Sequence, residues 1–155
     1  MASYQVELLA DYFQFYLQDD EISCGDLSEA WSEEATSRML ATSPRSVGIG
    51  TLRNAEVPVL INVLDQEPQK SFTPYGQVVE CSLEVHTGRI VVAGCTDYFP
   101  NALRIEAPAP VYRVRAYFSG LKSVSKDGLE GNDSYRIDLW PALAIVPRVL
   151  KQREA

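Results

Sequence analysis

Apolar and polar residues alternate along most of this chain with a period of two. Near its start, Tyr4, Val6 and Leu8 are separated by polar residues, which is typical of a strand that buries one of its faces. The same alternation, rich in Val, Ile, Tyr and Phe, predicts strands at 13–17, 46–53, 56–64, 77–86, 89–96, 111–118 and 134–140, with weaker candidates at 103–107 and 143–149. So many short strands indicate a mainly β protein.

Residues 78–95 carry the clearest hairpin pattern. The Thr-Gly pair at 87–88 suits a two-residue turn between two apolar strands. In the register that this turn sets, Cys81 points into the core, whereas Glu80 and Cys95 point outward. A disulfide between the two cysteines is then not expected, because their Cβ atoms point to opposite faces of the hairpin.

One helix is predicted, over residues 27–41. Asp26 and Glu29 have the spacing of a capping box, and Ser32 is a second candidate N-cap. The apolar residues on one side of this helix are Leu27, Trp31, Ala35, Met39 and Leu40. A length of 155 residues is typical of one domain. We therefore expect residues 1–155 to form a two-layer antiparallel β-sandwich with one covering α-helix, and a jelly-roll topology is one such arrangement.

Charge is distributed unevenly along the chain. The net charge is −7, from 21 acidic and 14 basic side chains. Residues 1–37 contain no Lys or Arg at all, whereas the rest of the chain is close to neutral. An acidic protein is a poor match for nucleic acid, because phosphates are bound by Lys and Arg. The asymmetry instead indicates a surface for a protein partner near the N-terminus.

The sequence gives no sign of a membrane or secreted protein. It has three cysteines without a CxxC pair, no basic N-terminal region, and no apolar run of about 18 residues. We therefore expect a cytoplasmic protein with no membrane partner, and no metal or cofactor is predicted.

Motifs that could carry catalysis or ligand binding are weak. His86, the only histidine, lies beside the predicted turn, so no catalytic triad is expected. Gly48-Ile49-Gly50 lacks the Lys of a phosphate loop and fits a strand packed closely against another element. The acidic loop at 119–133 contains Asp127 and Asp133, but not at EF-hand spacing. A calcium-assisted site for a small ligand or carbohydrate is the alternative function, and a hydrolase with paired carboxylates ranks last.

Three arginines lie on predicted outward faces. Arg113 and Arg115 share a face with Tyr117, and Arg136 alternates with apolar residues in a later strand. Such a group can hold an anionic ligand. A solvated sheet face with cross-strand ion pairs is the favoured interpretation.

The candidate protein-binding residues lie in the acidic first quarter. Tyr12 and Tyr16 are interface anchors if Phe13, Phe15 and Leu17 face the core; the alternative is burial between sheet and helix. The acidic candidates are Asp19, Asp20, Glu21, Asp26, Glu29, Glu33 and Glu34.

A spaced series of short motifs over residues 4–140 resembles the competence protein J family. The motifs are Tyr12-Phe13-Gln14-Phe15, Asp19-Asp20, Trp31-Ser32-Glu33-Glu34-Ala35, Arg53-Asn54, Val85-His86-Thr87-Gly88-Arg89-Ile90 and Asp133-Ser134-Tyr135-Arg136-Ile137-Asp138. A named member of that family inhibits the DNA-entry nuclease of competent bacteria, and its relatives include uncharacterised bacterial proteins. The resemblance implies a nuclease-like protein partner. A nuclease cleft built to accept phosphates is cationic, so an acidic surface can occupy it.

Charge and resemblance together favour a non-catalytic protein-binding module that acts as an acidic inhibitor of a nuclease or toxin. The partner is expected to be basic or nuclease-like. Pairing of sandwich edges into a homodimer is left open.

Overall fold

The computed structural model describes residues 1–154, in which strands of two packed sheets account for most of the regular structure. The strands are β1 (Ala2–Leu9), β2 (Gln14–Asp19), β3 (Leu40–Ser43), β4 (Ser46–Gly50), β5 (Glu56–Val63), β6 (Gln77–Glu84), β7 (Arg89–Gly94), β8 (Leu103–Glu106), β9 (Val111–Ser119), β10 (Ser134–Pro141) and β11 (Arg148–Lys151). The α-helix is α1 (Glu33–Arg38), and short 3-10 turns lie at Asp11–Phe13, Ile22–Cys24, Phe99–Asn101 and Leu121–Ser123. Among the described residues, no helix has the length and apolar character needed to span a bilayer.

The two sheets form the layers of a sandwich. The first has the strand order β1-β5-β10-β9-β6-β11 and the second has the order β3-β4-β2-β7-β8. Every neighbouring pair is antiparallel except β5 and β10, which are parallel. The predicted fold class, a two-layer β-sandwich with one helix, is confirmed, with one parallel pair that makes the first sheet mixed.

The core lies between the sheets and follows the period-two pattern. Phe15 and Leu17 of β2 are fully buried, as are Cys81 and Leu83 of β6. The ring of Tyr135 from β10 lies edge-on to Phe15 at 6.0 Å between ring centres. Alternating apolar residues therefore predicted the inner faces of both sheets correctly, because burial on one face selects every second side chain.

The predicted hairpin at 78–95 is wrong. β6 pairs with β9 and β11 in the first sheet, whereas β7 pairs with β2 and β8 in the second. The chain crosses between the sheets through Val85–Gly88, and Gly88 has the positive φ of 78° that the crossing requires. All three cysteines are free thiols, with Cys81 in the core and Cys95 exposed. Burial raises the pKa of the Cys81 thiol to about 12.

The predicted helix at 27–41 is too long. α1 begins after Ser32, whose Oγ accepts a hydrogen bond of 3.1 Å from the backbone N–H of Ala35, so the second candidate N-cap is the one used. It ends at Met39, which adopts a left-handed conformation with φ of 63°. Leu40 then starts β3, so the end of the predicted helix is a strand. Likewise, the strand predicted at 143–149 lies later, at Arg148–Lys151.

The outer face of the first sheet is covered at β6, β9 and β10, which corrects the prediction of a solvated face for the arginines of β9 and β10. Arg115 and Glu80 are directly opposite each other on β9 and β6, and both side chains are fully buried. Glu67, Phe72 and Tyr75 from the segment between β5 and β6 contact Arg115 or the ring of Tyr117. Tyr117 is itself buried and donates a hydrogen bond to Asp138. The polar residues that alternate with apolar ones in β6 and β9 thus belong to a buried network of ion pairs and hydrogen bonds on this side of the sandwich.

Candidate protein-binding surface

Residues 19–34, called here the acidic segment, are anchored on the outer face of the second sheet. Trp31 and Leu27 lie over Gly48 of β4, where an added Cβ would come within 2.9 Å of both side chains. The indole Nε1 of Trp31 donates a 3.0 Å hydrogen bond to Oε1 of Gln14. The expectation that Gly48-Ile49-Gly50 is a strand packed closely against another element is confirmed. Glycine leaves the space in which Trp31 and Leu27 sit.

Asp19 begins the acidic segment and is fully buried. Its carboxylate accepts hydrogen bonds from the backbone N–H of His86 (2.8 Å), from the backbone N–H of Thr87 (3.1 Å) and from the Thr87 hydroxyl (2.6 Å). Arg45 also donates to it, at 2.9 Å from Nε. Asp19 therefore fixes the crossover between β6 and β7 and has no carboxylate surface left for a partner.

The next two acids are neutralised by arginines of neighbouring strands and turns. Asp20 contacts Arg89 at 2.9 Å and Arg104 at 3.2 Å. Glu21 contacts Arg45 at 2.7 Å, and this hydrogen bond lowers the pKa of the exposed Glu21 carboxyl. Residues 1–37 contain nine acidic side chains and no Lys or Arg, but this composition overstates the negative potential at residues 19–21, because arginines from later in the chain pair with them.

Acid should weaken the fold through Asp19. Burial by itself would raise the pKa of this carboxyl, but the hydrogen bonds from Thr87, His86 and Arg45 outweigh it and hold the pKa at about 2, below the ordinary 3.8. Because the folded-state pKa is the lower one, the stabilisation is complete above about pH 4 and is lost as the pH falls towards 2. We expect this residue to contribute about 2 kcal/mol to that loss. Urea unfolding at pH 6, 4, 3 and 2.5 measures it, and a wild-type slope matched by Asp19→Asn would contradict the assignment.

The remaining acids of the segment project into solvent. Asp26, Glu29, Glu33 and Glu34 are all exposed. Glu34 lies 3.6 Å from Arg38 one helical turn later, whereas Asp26, Glu29 and Glu33 have no ion-pair partner within residues 1–154. Hydrogen bonds from the side chain of Ser28 and from its backbone N–H, the latter at 2.9 Å, lower the pKa of the Asp26 carboxyl. Within the acidic segment, the uncompensated negative charge therefore lies at residues 26–34.

Aromatic side chains flank this charge on two sides of Trp31. One cavity of about 410 Å³ is lined by Trp31 and Tyr16, and another of about 380 Å³ is lined by Trp31 and Tyr12. Tyr16 is half-buried, and burial, with the charges of Cys95 and Asp97, raises the pKa of its hydroxyl. Tyr16 lies partly between the sheet and the acidic segment, and Tyr12 is exposed, so its role as an interface anchor stays a prediction. Phe13, expected to face the core with Phe15 and Leu17, is instead 45% exposed.

Tyr12 is presented by an unusual backbone. Tyr12 and Phe13 both have φ of 60°, a left-handed conformation that side chains other than glycine rarely adopt. The turn is held by a hydrogen bond of 2.9 Å from the N–H of Tyr12 to Oδ1 of Asn54. It leaves 69% of Tyr12 exposed at one end of the sandwich. Strained residues of this kind are often found at functional sites.

Three residues near this surface, Ile22, Asp97 and Tyr98, were not among the candidates predicted from the sequence. Ile22 and Tyr98 are 72% and 70% exposed, which is high for large apolar side chains. Ile22 lines the cavity with Tyr16, together with Asp97 from the loop after β7. The adjacent Tyr98-Phe99 pair in a loop was the one available signal. The contact between this loop and the acidic segment was not predicted, because the two are far apart in the sequence.

The other candidate motifs are used within the fold. Asp133 is buried and contacts Arg53 at 2.8 Å, and the hydroxyl of Tyr135 donates to it at 2.5 Å. Asp127 accepts hydrogen bonds from Ser125 and from the N–H of Leu129 in its own turn. His86 is exposed, 3.5 Å from Glu84. Within the described residues, no group of three or more His, Cys, Asp or Glu side chains is placed to hold a metal ion.

Comparison with known proteins identifies relatives by structure. No protein-family model matches the chain, and no curated protein sequence matches it. ComJ from Bacillus subtilis, an inhibitor of the DNA-degrading activity of NucA, is 19% identical with a TM-score of 0.69, over 91% of this chain and 98% of ComJ. The product of crocagin biosynthetic gene J is 15% identical with a TM-score of 0.59, over 92% of this chain and all of that chain. The resemblance to competence protein J is thus confirmed as a shared fold.

Proposed function

We propose that this chain is a non-catalytic inhibitor that binds a nuclease through the exposed acids at residues 26–34. The observation that carries the proposal is the contrast within the acidic segment. Its first three acids are paired with Arg45, Arg89 and Arg104, whereas Asp26, Glu29 and Glu33 are exposed and unpaired within the described residues. A shared fold with the nuclease inhibitor ComJ supports the same class of partner.

The physical basis is electrostatic competition with nucleic acid. A nuclease cleft attracts phosphates through positive charge, and carboxylates on a rigid surface meet the same potential. Charges at the rim of an interface act chiefly on the rate of association. Because Trp31 and Leu27 anchor the segment over Gly48, little backbone entropy is lost when these carboxylates bind.

The neighbouring aromatic residues supply contact area. Tyr12 is exposed beside the cavity lined by Trp31, and tyrosine and tryptophan are enriched among the residues that dominate binding energy. Tyr12 is the anchor in this proposal, and Asp19 acts indirectly, by holding the start of the segment in place.

The test is inhibition of DNA degradation by two nucleases: NucA of Bacillus subtilis and the most similar nuclease encoded by the organism that provides this chain. We expect inhibition of at least one, with an association rate that falls about tenfold between roughly 50 and 300 mM salt. The triple variant Asp26→Asn, Glu29→Gln, Glu33→Gln should bind about tenfold or more weakly.

A second triple variant is the matched control. Glu56→Gln, Asp65→Asn and Glu130→Gln change the net charge equally at exposed positions outside the segment, so inhibition should be retained. Equal losses in the two variants would refute the assigned surface. No inhibition of either nuclease at a large molar excess of the wild-type chain would refute the function.

A further inference from the structure

The first sheet ends in a long strand whose outer edge is open. β1 has eight residues, and β5 is its single neighbour among the described strands. The other sheet edges are protected in ways that β1 is not. β3 and β8 have four residues each, and β11 contains a register irregularity after Val149 together with Arg148 and Lys151. Short, bulged or basic edges resist strand pairing, and a long regular edge invites it.

Hydrogen bonding around β1 shows which backbone groups point outward. The N–H of Ala10 donates to the carbonyl of Ala55 at 2.9 Å, directly in line with the β1–β5 register. Hydrogen-bonded pairs alternate in an antiparallel ladder, so the even-numbered residues of β1 bond to β5. Pro58 is opposite Glu7, in a pair that is not hydrogen-bonded in this pattern. A proline, which has no N–H to donate, is tolerated at that position. The N–H and C=O groups of Ser3, Gln5 and Glu7 therefore project from the open edge.

The side chains of β1 complement a second copy of the same strand. With Gln5 opposite Gln5 of the other copy, antiparallel pairing places Tyr4 opposite Val6 on the inner face. Both side chains pack against the core but are only partly buried, and aromatic and β-branched residues are a favourable cross-strand pair.

Charge disfavours the register that is centred on the other outward-pointing residue near the middle of β1. Pairing centred on Glu7 would place two carboxylates directly opposite, which is unfavourable. Centred on Gln5, each Glu7 faces Ser3, and the two carboxylates are about 13 Å apart along the strands. We propose that two copies of this chain associate through β1, antiparallel about a two-fold axis at Gln5, to form one continuous sheet across the dimer.

Oligomeric mass tests the proposal directly. Sedimentation velocity of the wild-type chain from roughly 1 to 200 μM should show a dimer at the upper concentrations. Gln5→Lys places two lysines opposite each other and should weaken the dimer about tenfold or more. Gln69→Lys makes the same chemical change at an exposed site far from β1 in sequence and should leave the dimer unchanged. A wild-type monomer at every concentration would overturn the proposal.

Cross-linking tests the register. In a Cys95→Ser background, Gln5→Cys should form an intermolecular disulfide, because hydrogen-bonded partners have Cα atoms about 5.5 Å apart, within disulfide range. Glu7→Cys should not, at about 13 Å. Cross-linking of Glu7→Cys without Gln5→Cys would overturn the register. If the wild-type chain is a monomer but Gln5→Lys weakens nuclease inhibition, the edge pairs with a strand of another protein and the dimer proposal fails.

Discussion

Asp19→Ala is expected to lower the free energy of unfolding by about 3–5 kcal/mol. The substitution removes a fully buried carboxylate and leaves the backbone N–H groups of His86 and Thr87 without their acceptor. It also leaves Arg45 without its hydrogen bond to Asp19. Buried donors that lose a charged acceptor bear the full cost of desolvation. Urea denaturation followed by circular dichroism measures the change.

Asp26→Ala is the matched control for this prediction. Asp26 lies in the same acidic segment but is exposed, and its one backbone hydrogen bond closes a local turn at Ser28. We expect a loss of about 0.5 kcal/mol, typical of surface substitutions. If the two variants were equally stable, Asp19 would not be the residue that fixes the crossover between the sheets.

Glu80→Ala is expected to lower the free energy of unfolding by a similar 3–5 kcal/mol. Glu80 is fully buried and accepts hydrogen bonds from Arg115 at 2.7 Å, Arg148 at 2.5 Å and Arg113 at 3.3 Å. Burial would raise the pKa of this carboxyl, but the hydrogen bonds from Arg148 and Arg115 keep it below its usual value. Alanine would leave the buried Arg115 with Glu67 as its remaining carboxylate partner.

The control lies on the same strand. Glu84 ends β6 and contacts the exposed His86 at 3.5 Å, so Glu84→Ala should change stability by no more than about 0.5 kcal/mol. Chemical denaturation of both variants at neutral pH makes the comparison. A small loss for Glu80→Ala would mean that water enters and solvates the arginines.

The sequence predicted those core residues whose burial follows from each strand having one face in the core. Residues such as Phe15, Leu17, Cys81 and Leu83 were assigned to the core because every second side chain in each strand is apolar. The same logic failed for Arg115, since polar residues at alternate positions look identical whether water or another segment covers them. Only the structure brings Glu67 and Phe72 over that face.

Local signals also failed where distant contacts decide the outcome. The Thr-Gly pair at 87–88 has the sequence of a hairpin turn. The carboxylate of Asp19, however, accepts a hydrogen bond from the backbone N–H of His86, which is 67 residues away in the sequence. A turn that joins two strands of one sheet cannot be told from a crossover between sheets by its residues alone. The helix was overextended for a related reason, because Leu40 fits an apolar helical stripe as well as it fits a strand in the core.

The protein-binding surface stays a prediction, and the structure shows which of its proposed acids are free for a partner. Charge counting located residues 19–34, but Arg45 and Arg104, which lie 24 and 84 residues from the acids they contact, neutralise the first part of it. Exposure narrows the candidates to residues 26–34. Ile22 and Tyr98 lie near this surface because two loops that are far apart in the sequence come together. A local sequence pattern cannot predict such a contact.

The pairing of β5 with β10 has a consequence for how the first sheet can form during folding. Tyr135 is opposite Val59 in this pair, and β10 is also the strand that joins β5 to β9. Without β10, no strand of the first sheet joins the pair β1–β5 to the pair β6–β9. Long-range pairings of this kind make folding slow. We therefore expect a chain that lacks β10 to be prone to misassembly, because it cannot complete the first sheet.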